Sequence, residues 1–359
     1  MATQTFVSRF AEIGIHDRPT VGGKGASLGE LARAGIRVPN GCVVTTGAFE
    51  RFLAAIDSSG AIRRAVGQLS AQDHAAIVQL GEEVRAQIES APLPHDLQSA
   101  IAAHYEELNR APENSTCPVA IRSSATSEDS TEASFAGLQD TYLWVRGPDS
   151  VIHHVRKCWA SLYNVESLTY RRRLNLPEES LAMGVVIQQM IDSRCSGVMF
   201  TRSPTTGDRS VVVLEASWGL GSAIVSGEVT PDKYVVSKVT GEIVQRTVSS
   251  KLREHLPNPH GAGVNDQEVP NDRQDIPCLS DEEIHALVKI ARQVERHYGA
   301  SQDIEWAVSR NHPAGENLFL LQSRPETVWA AKDKSPVAAP KNKAFDHVVS
   351  LLSGGTLKK

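Results

Sequence analysis

Long apolar runs are missing from this chain of 359 residues, and so is a basic, apolar leader, since it opens Met1-Ala2-Thr3-Gln4-Thr5. No stretch approaches the ~20 apolar residues that cross a bilayer, which argues against a membrane protein or a secreted one. Cysteine is scarce and scattered, with five residues at 42, 117, 158, 195 and 278. They form no C-x-x-C and no zinc spacing, so a disulfide framework or zinc module is not expected. The set fits a reducing cytoplasm in which they act as small apolar side chains. Charge of one sign is also lacking: 37 Lys and Arg against 42 Asp and Glu leave a net charge of -5. That balance argues against nucleic acid or an anionic membrane as the main partner. The triplet Arg171-Arg172-Arg173 reads as the solvated end of a helix, and His153-His154 as helix-surface or packing residues rather than ligands. There is no internal repeat and no G-x-x-x-x-G-K-[ST] phosphate loop. What remains is a chain that is 41% hydrophobic, with material for more than one core.

Hydrophobic periodicity divides the chain into helical and extended regions. Helical stripes fall at Phe49, Phe52, Leu53 and Ile56, at Ile77, Val84 and Ile88, at Leu97, Ile101, Tyr105 and Leu108, and from Val151 to Leu162. Near-continuous apolar runs at 185–191 and 211–214 predict buried strands, and Lys233 to Val248 predicts a hairpin turning at Thr240-Gly241. Residues 253–278, rich in Pro, Asn, Asp and Gly, are expected to be a loop. Ser280-Asp281-Glu282-Glu283 forms a capping box for a helix that Gly299 closes.

Three segments carry polar chemistry. In the first, Val119-Ala120-Ile121 runs into Arg122-Ser123-Ser124-Ala125-Thr126-Ser127-Glu128-Asp129, then Ser134-Phe135-Ala136-Gly137-Leu138-Gln139-Asp140-Thr141-Tyr142. A guanidinium offers forked donors to phosphate oxygens, and small residues let backbone N–H groups approach an anion. A polar surface loop has the same composition. In the second, Val21-Gly22-Gly23-Lys24-Gly25-Ala26-Ser27-Leu28 opens a helix whose stripe holds Leu28, Leu31, Ala32 and Ile36, with Pro39 ending it. Lys24 at a helix N-terminus is well placed for phosphate, although a solvated lysine at a glycine-rich helix entry reads the same way. In the third, two alternating runs around Asp303-Ile304-Glu305-Trp306 and Leu321-Gln322-Ser323-Arg324 flank a loop from Arg310 to Glu316. Asp303 and Glu305 share a strand face, and folding back brings Gln322 beside Glu305. Two carboxylates, an amide oxygen and an arginine suit a Mg2+ that keeps waters and bridges polyphosphate; a polar-faced hairpin is the plain alternative.

Taken in order with Gly35-Ile36-Arg37-Val38-Pro39, Ser196 to Thr201, Glu215 to Gly221 and Gly227 to Asp232, these segments resemble one family from Val21 to about Trp329. It is the ATP-binding domain of the phosphoenolpyruvate synthase and pyruvate phosphate dikinase family, which includes rifampin phosphotransferases. The resemblance implies an α+β ATP-grasp architecture with lobes at 1–192 and 193–329, followed by a linker and short helix at 330–359. By the same resemblance Lys24, Arg122, Gly137 and Thr141 line the phosphate side, and Gln188 lies near the base. Glu305 and Gln322 hold Mg2+, with Asp303 as a further candidate, and Arg324 stabilises transferred charge. The implied chemistry converts ATP to AMP and phosphate while a histidine on a partner subunit is phosphorylated.

The stretch after Trp329 is linker-like, a stripe at Phe345, Val348, Val349 and Leu352 follows, and His347 lacks the context of a phosphocarrier. That organisation is most similar to the stand-alone ATP-binding subunit of phenylphosphate synthase, with phenol as final acceptor. Other readings remain open: a fragment of a phosphoenolpyruvate synthase or rifampin phosphotransferase, a conventional ATP-grasp ligase, or an ATP-sensing regulatory subunit.

Overall fold

The computed structural model describes residues 5–109, 116–126, 140–178, 181–259 and 261–333. In chain order its first half contains β1 (Val7–Arg9), α1 (Arg18–Arg33), β2 (Gly41–Val44), α2 (Thr46–Ile56), α3 (Ala61–Gln68), α4 (His74–Ser90) and α5 (His95–Leu108). There follow β3 (Val119–Ala125), β4 (Thr141–Val145), α6 (Pro148–Ala160), α7 (Val165–Arg173) and β5 (Met183–Gln189). These strands form an antiparallel sheet in the order β1-β2-β5-β3-β4. Central β5 is covered on both faces, which is why Val185-Val186-Ile187 reads as an unbroken apolar run. Val185 and Ile187 join a core with α2, α4 and α6, while Val186 faces Val21, Leu28 and Val43. In the larger core Trp159 packs on Phe49 and Phe52, with ring centroids 5.8 and 5.1 Å apart.

Helix α1 is broken inside the glycine-rich segment. Gly22 has φ 73 and ψ 176, so the helix restarts there and Lys24 stands in the first turn of the new segment. A Cβ on Gly22 would lie 1.9 Å from the Ser124 carbonyl oxygen, so both the left-handed backbone and the close approach call for glycine. At its other end α1 closes with the Ile36 N–H on the Leu31 carbonyl at 3.0 Å and the Gly35 N–H on that of Ala32 at 3.1 Å. Ile36, placed on the helical stripe by periodicity, thus lies just beyond the helix.

The second half runs through β6 (Ser193–Phe200), β7 (Val211–Trp218), α8 (Ser222–Val225), β8 (Asp232–Ser237), β9 (Ile243–Thr247), β10 (Arg253–Pro257) and β11 (Val264–Glu268). It continues with α9 (Asn271–Gln274), α10 (Asp281–Tyr298), β12 (Gln302–Ser309) and β13 (Leu318–Pro325). Six strands pair antiparallel in the order β13-β12-β6-β7-β8-β9. The capping box on α10 forms, with Ser280 Oγ accepting from the Glu283 N–H and Glu283 accepting from the Ser280 N–H. Ile284, Leu287, Ala291 and Val294 of α10 are buried with Trp306 and Leu214 of the sheet. Leu31 belongs to this core and Leu28 to the one against the first sheet, so α1 packs on both.

Three expectations are corrected. Residues 253–278 are not a loop: β10 and β11 pair from Arg253↔Glu268 to Pro257↔Val264, and α9 follows. The pairing lacks apolar alternation and draws instead on cross-strand charge, with Arg253 Nε donating to Asp266 at 2.8 Å. Arg171 is not solvated. It is 1% exposed, pairs with Glu178 at 2.5 Å and donates to the Leu162 carbonyl at 2.7 Å. Residues 330–333 are helical rather than linker. The chain divides into compact units between Pro325 and Glu326, and in the second unit α11 (Val328–Asp333) begins where Glu326 accepts from the Trp329 N–H at 2.7 Å. The stripe from Phe345 to Leu352, with His347, lies outside the described residues.

Cys42, Cys158, Cys195 and Cys278 are buried free thiols, and burial pushes the Cys42 thiol up to about 12, in keeping with a packing role. The Gly227–Asp232 run ends in a buried ion pair, both side chains 0% exposed, in which Asp232 meets Lys251 at 2.6 Å. Tyr234 and the N–H groups of Ser249 and Cys278 also donate to Asp232.

Candidate active site

Arg122, the last but three of β3, reaches across from the first sheet to the second. Its Nη2 donates to Glu305 Oε2 at 3.1 Å and also to Gln322 Oε1. Its Nη1 donates to the Leu321 carbonyl at 3.1 Å. The last contact has a cause in the hairpin register. Glu305 pairs with Gln322 but Trp306 pairs with Leu320, so Leu321 is an extra residue in β13. A bulged residue drops out of the ladder, leaving its carbonyl to accept from elsewhere. One guanidinium thus gathers a carboxylate, an amide oxygen and a backbone oxygen. Its Nε is buried and has no partner.

Asp303 sits two residues before Glu305 on the same face of β12 and pairs in register with Arg324, whose Nε is 3.4 Å from Asp303 Oδ2. Lys24 is held near by its helix. Ser124 Oγ, two residues past Arg122, accepts from the Gly25 N–H at 3.1 Å and donates to the Val21 carbonyl at 2.8 Å. Ser27 Oγ donates to the Ser323 carbonyl at 2.7 Å, between Gln322 and Arg324. The turn bearing Lys24 is therefore clamped between the strand of Arg122 and the strand of Gln322 and Arg324.

A cavity of about 320 Å³ opens between the two sheets, a size within the small-molecule range. Arg122, Thr141, Gln188 and Glu305 line it, together with an apolar wall of Met190, Ile191, Leu220 and Val225. Thr141 is the cross-strand neighbour of Arg122. Gln188 is 3% exposed, and its Nε2 has no partner. Lys24, Asp303, Gln322 and Arg324 are not among the lining residues and stand on the segments that border it. Beside Thr141, burial and then the Asp140 carboxylate, 2.6 Å from the hydroxyl, raise the Tyr142 phenol, which stays protonated. Gly137 lies outside the described residues, as does the rest of 127–139.

The cavity thus has a charged side and an apolar side, and two of its lining residues, Arg122 and Gln188, carry buried donors without partners. Among the described residues no group of three or more His, Cys, Asp or Glu could hold a metal. The available oxygens are those of Glu305 and Gln322, which converge on a cationic nitrogen of Arg122. A hard divalent ion that keeps waters and shares polyphosphate oxygens fits a set this small; a stripped, all-protein cage does not. Ser222 and Ser226 also line the cavity. No sequence signal marks them beyond the adjoining run from Glu215 to Gly221.

Residues 18–344 match the family model for the pyruvate phosphate dikinase AMP/ATP-binding domain. A probable phosphoenolpyruvate synthase of Staphylothermus marinus is 39% identical over 357 residues, covering 94% of this chain and 43% of that protein. The phosphoenolpyruvate synthase of Aeropyrum pernix is 40% identical over 346 residues, covering 90% and 42%. A rifampicin phosphotransferase of Streptomyces sviceus is 42% identical over 329 residues, covering 90% and 36%. The chain spans less than half the length of these relatives.

Proposed function

Since the chain belongs to the family of pyruvate phosphate dikinase AMP/ATP-binding domains, we propose that it binds MgATP in the inter-sheet cavity and donates phosphoryl groups by dikinase chemistry. The fold is read as ATP-grasp, with lobes at 1–192 and 193–329 and the nucleotide between them. The observation that carries this reading is the convergence of Arg122 on Glu305 and Gln322 across two sheets. Buried, partnerless Arg122 Nε and Gln188 Nε2 support it, because buried donors without partners are costly unless a ligand satisfies them.

In this reading Lys24, Arg122 and Thr141 hold the phosphates with Gly137, and Gln188 and the apolar wall take the nucleoside. Glu305 and Gln322, with Asp303 in reserve, would hold Mg2+, which supplies charge neutralisation along the polyphosphate. Arg122 is then released from Glu305 and Gln322 toward the phosphates, and Arg324 meets the charge that develops on the transferred group. A histidine carried by a partner subunit or domain attacks the β-phosphorus. The N–P bond forms as the bond to the AMP oxygen breaks, leaving a pyrophosphoryl group on the imidazole. Water removes the terminal phosphate, and the remaining phosphoryl group passes to the final acceptor. This chain contributes position and charge, which is most of what phosphoryl transfer requires.

Pyruvate, a rifamycin and phenol are acceptors that family resemblance offers, and the ATP half-reaction is common to all. The test is labelled ATP with a histidine-bearing partner. AMP and phosphate with label on the partner histidine support the proposal; ADP points to ligase or simple kinase chemistry. Binding without cleavage in the presence of a competent partner points to a sensor.

A further inference from the structure

A second polar chain leads into the same cavity from the other side. Ser222 opens α8 and lines the cavity wall. Its Oγ lies 2.8 Å from His255 Nδ1, and His255 Nε2 lies 3.1 Å from Glu228 Oε2. The backbone fixes this arrangement. The Leu220 N–H donates to the His255 carbonyl at 2.8 Å, and a Cβ on Gly219, whose φ is 72, would lie 2.4 Å from that oxygen. Ser196 Oγ anchors the turn from beneath by donating to the Gly219 carbonyl at 2.7 Å.

The protonation pattern follows from the partners. An ionised carboxylate only accepts, so in the neutral imidazole Nε2 carries the proton and donates to Glu228, leaving Nδ1 an acceptor. Ser222 must then donate its O–H to Nδ1. Its remaining lone pairs are what it can offer to the cavity, so this hydroxyl acts there as an acceptor, oriented by two other residues. It shares its turn with Leu220 and Val225 of the apolar wall, whereas Arg122 comes from the other sheet.

We propose that Ser222 is a specificity residue for the nucleoside, its Oγ accepting a hydrogen bond from a donor on the base or sugar, with His255 and Glu228 as positioning residues. This rests on the reading of the cavity as an ATP site. The donors available on such a ligand are the 6-amino group of adenine and the ribose hydroxyls. A 6-oxo purine would set acceptor against acceptor.

Calorimetric titration of the wild type, Ser222→Ala, Ser222→Thr and His255→Phe with the magnesium complexes of ATP, ITP, 2′-deoxyATP and 3′-deoxyATP tests the proposal. The wild type is expected to prefer ATP over the analogue that lacks the recognised donor. Ser222→Ala should reduce that ratio by roughly tenfold, the value of one hydrogen bond. Ser222→Thr should restore it, and His255→Phe should reduce it by releasing the hydroxyl. A ratio that changes with ITP assigns the base, and one that changes with a deoxynucleotide assigns the sugar. Unchanged ratios in Ser222→Ala, with ATP still bound, overturn the inference alone. A wild type that binds none of the four overturns the ATP reading and the inference with it.

Discussion

Arg122 is both a structural tie between the sheets and the main cation of the cavity, and the two roles separate experimentally. Its side chain is 11% exposed and that of Glu305 31%, so their ion pair lies between the buried and surface extremes. Pairs at the surface contribute about 0–1 kcal/mol, whereas removing one partner of a fully buried pair costs about 3–5 kcal/mol. A coupling of about 1 kcal/mol is expected between Arg122→Ala and Glu305→Ala in a double-mutant cycle on urea unfolding. Arg122→Ala alone also loses the bonds to Gln322 and the Leu321 carbonyl, each a net contribution of about 0.5–1.5 kcal/mol, so with the coupling it should cost about 2–4 kcal/mol. The variant remains folded on that figure, so its activity can be read. AMP formation with a partner present should fall about 10²- to 10³-fold, the usual loss for one charge-stabilising contact. Strict additivity of the two substitutions in unfolding would refute the inter-sheet tie. Near-normal AMP formation in Arg122→Ala would refute its place in the chemistry.

Two further outcomes concern the frame around the site. Lys251→Ala should cost about 3–5 kcal/mol in chemical denaturation, because it strands the buried Asp232 carboxylate; a loss below about 1 kcal/mol would mean the pair is not buried as described. Acid stability should depend on Glu30, which accepts from the Ile15 N–H at 3.0 Å and lies 2.7 Å from His297 of α10. Burial pushes its carboxyl up, but these partners outweigh that and hold it below the ordinary carboxylate value. A lowered folded-state pKa gives stability that is present above the unfolded value and lost as pH falls through the folded one. The wild type should therefore lose stability more steeply than Glu30→Gln below about pH 4.3, and superimposable curves would contradict this.

The elements best seen in the sequence were those with strong periodicity and clear punctuation. The 302–309 and 318–325 strands alternate and bracket a Pro- and Gly-containing turn, so the Glu305–Gln322 pairing follows from the hairpin itself. The bulge at Leu321 was not visible, because nothing in Leu320-Leu321-Gln322 marks which residue leaves the ladder. That bulge frees the carbonyl Arg122 uses, so part of the site's geometry comes only with the fold. The strand carrying His255 escaped for a different reason. Arg253 to Pro257 and Val264 to Glu268 pair through charges and backbone, leaving no apolar period to read. Arg171 reads as solvent-facing in a basic triplet, and only its contact with Glu178, seven residues on, explains its burial. Lys24 was legible as a residue at a helix start because glycine marked the break, yet its neighbours on β3 and β13 are 99 and 296 residues away from the helix residues they bind.

The most direct measurement is calorimetric titration of the chain with ATP, with and without Mg2+, beside the same titration of Arg122→Ala and Glu305→Ala. One Mg2+-dependent site per chain, weakened at least tenfold in both variants, is the expected result. No binding by the wild type, or equal affinity in all three proteins, would contradict the placement of the nucleotide between the two sheets.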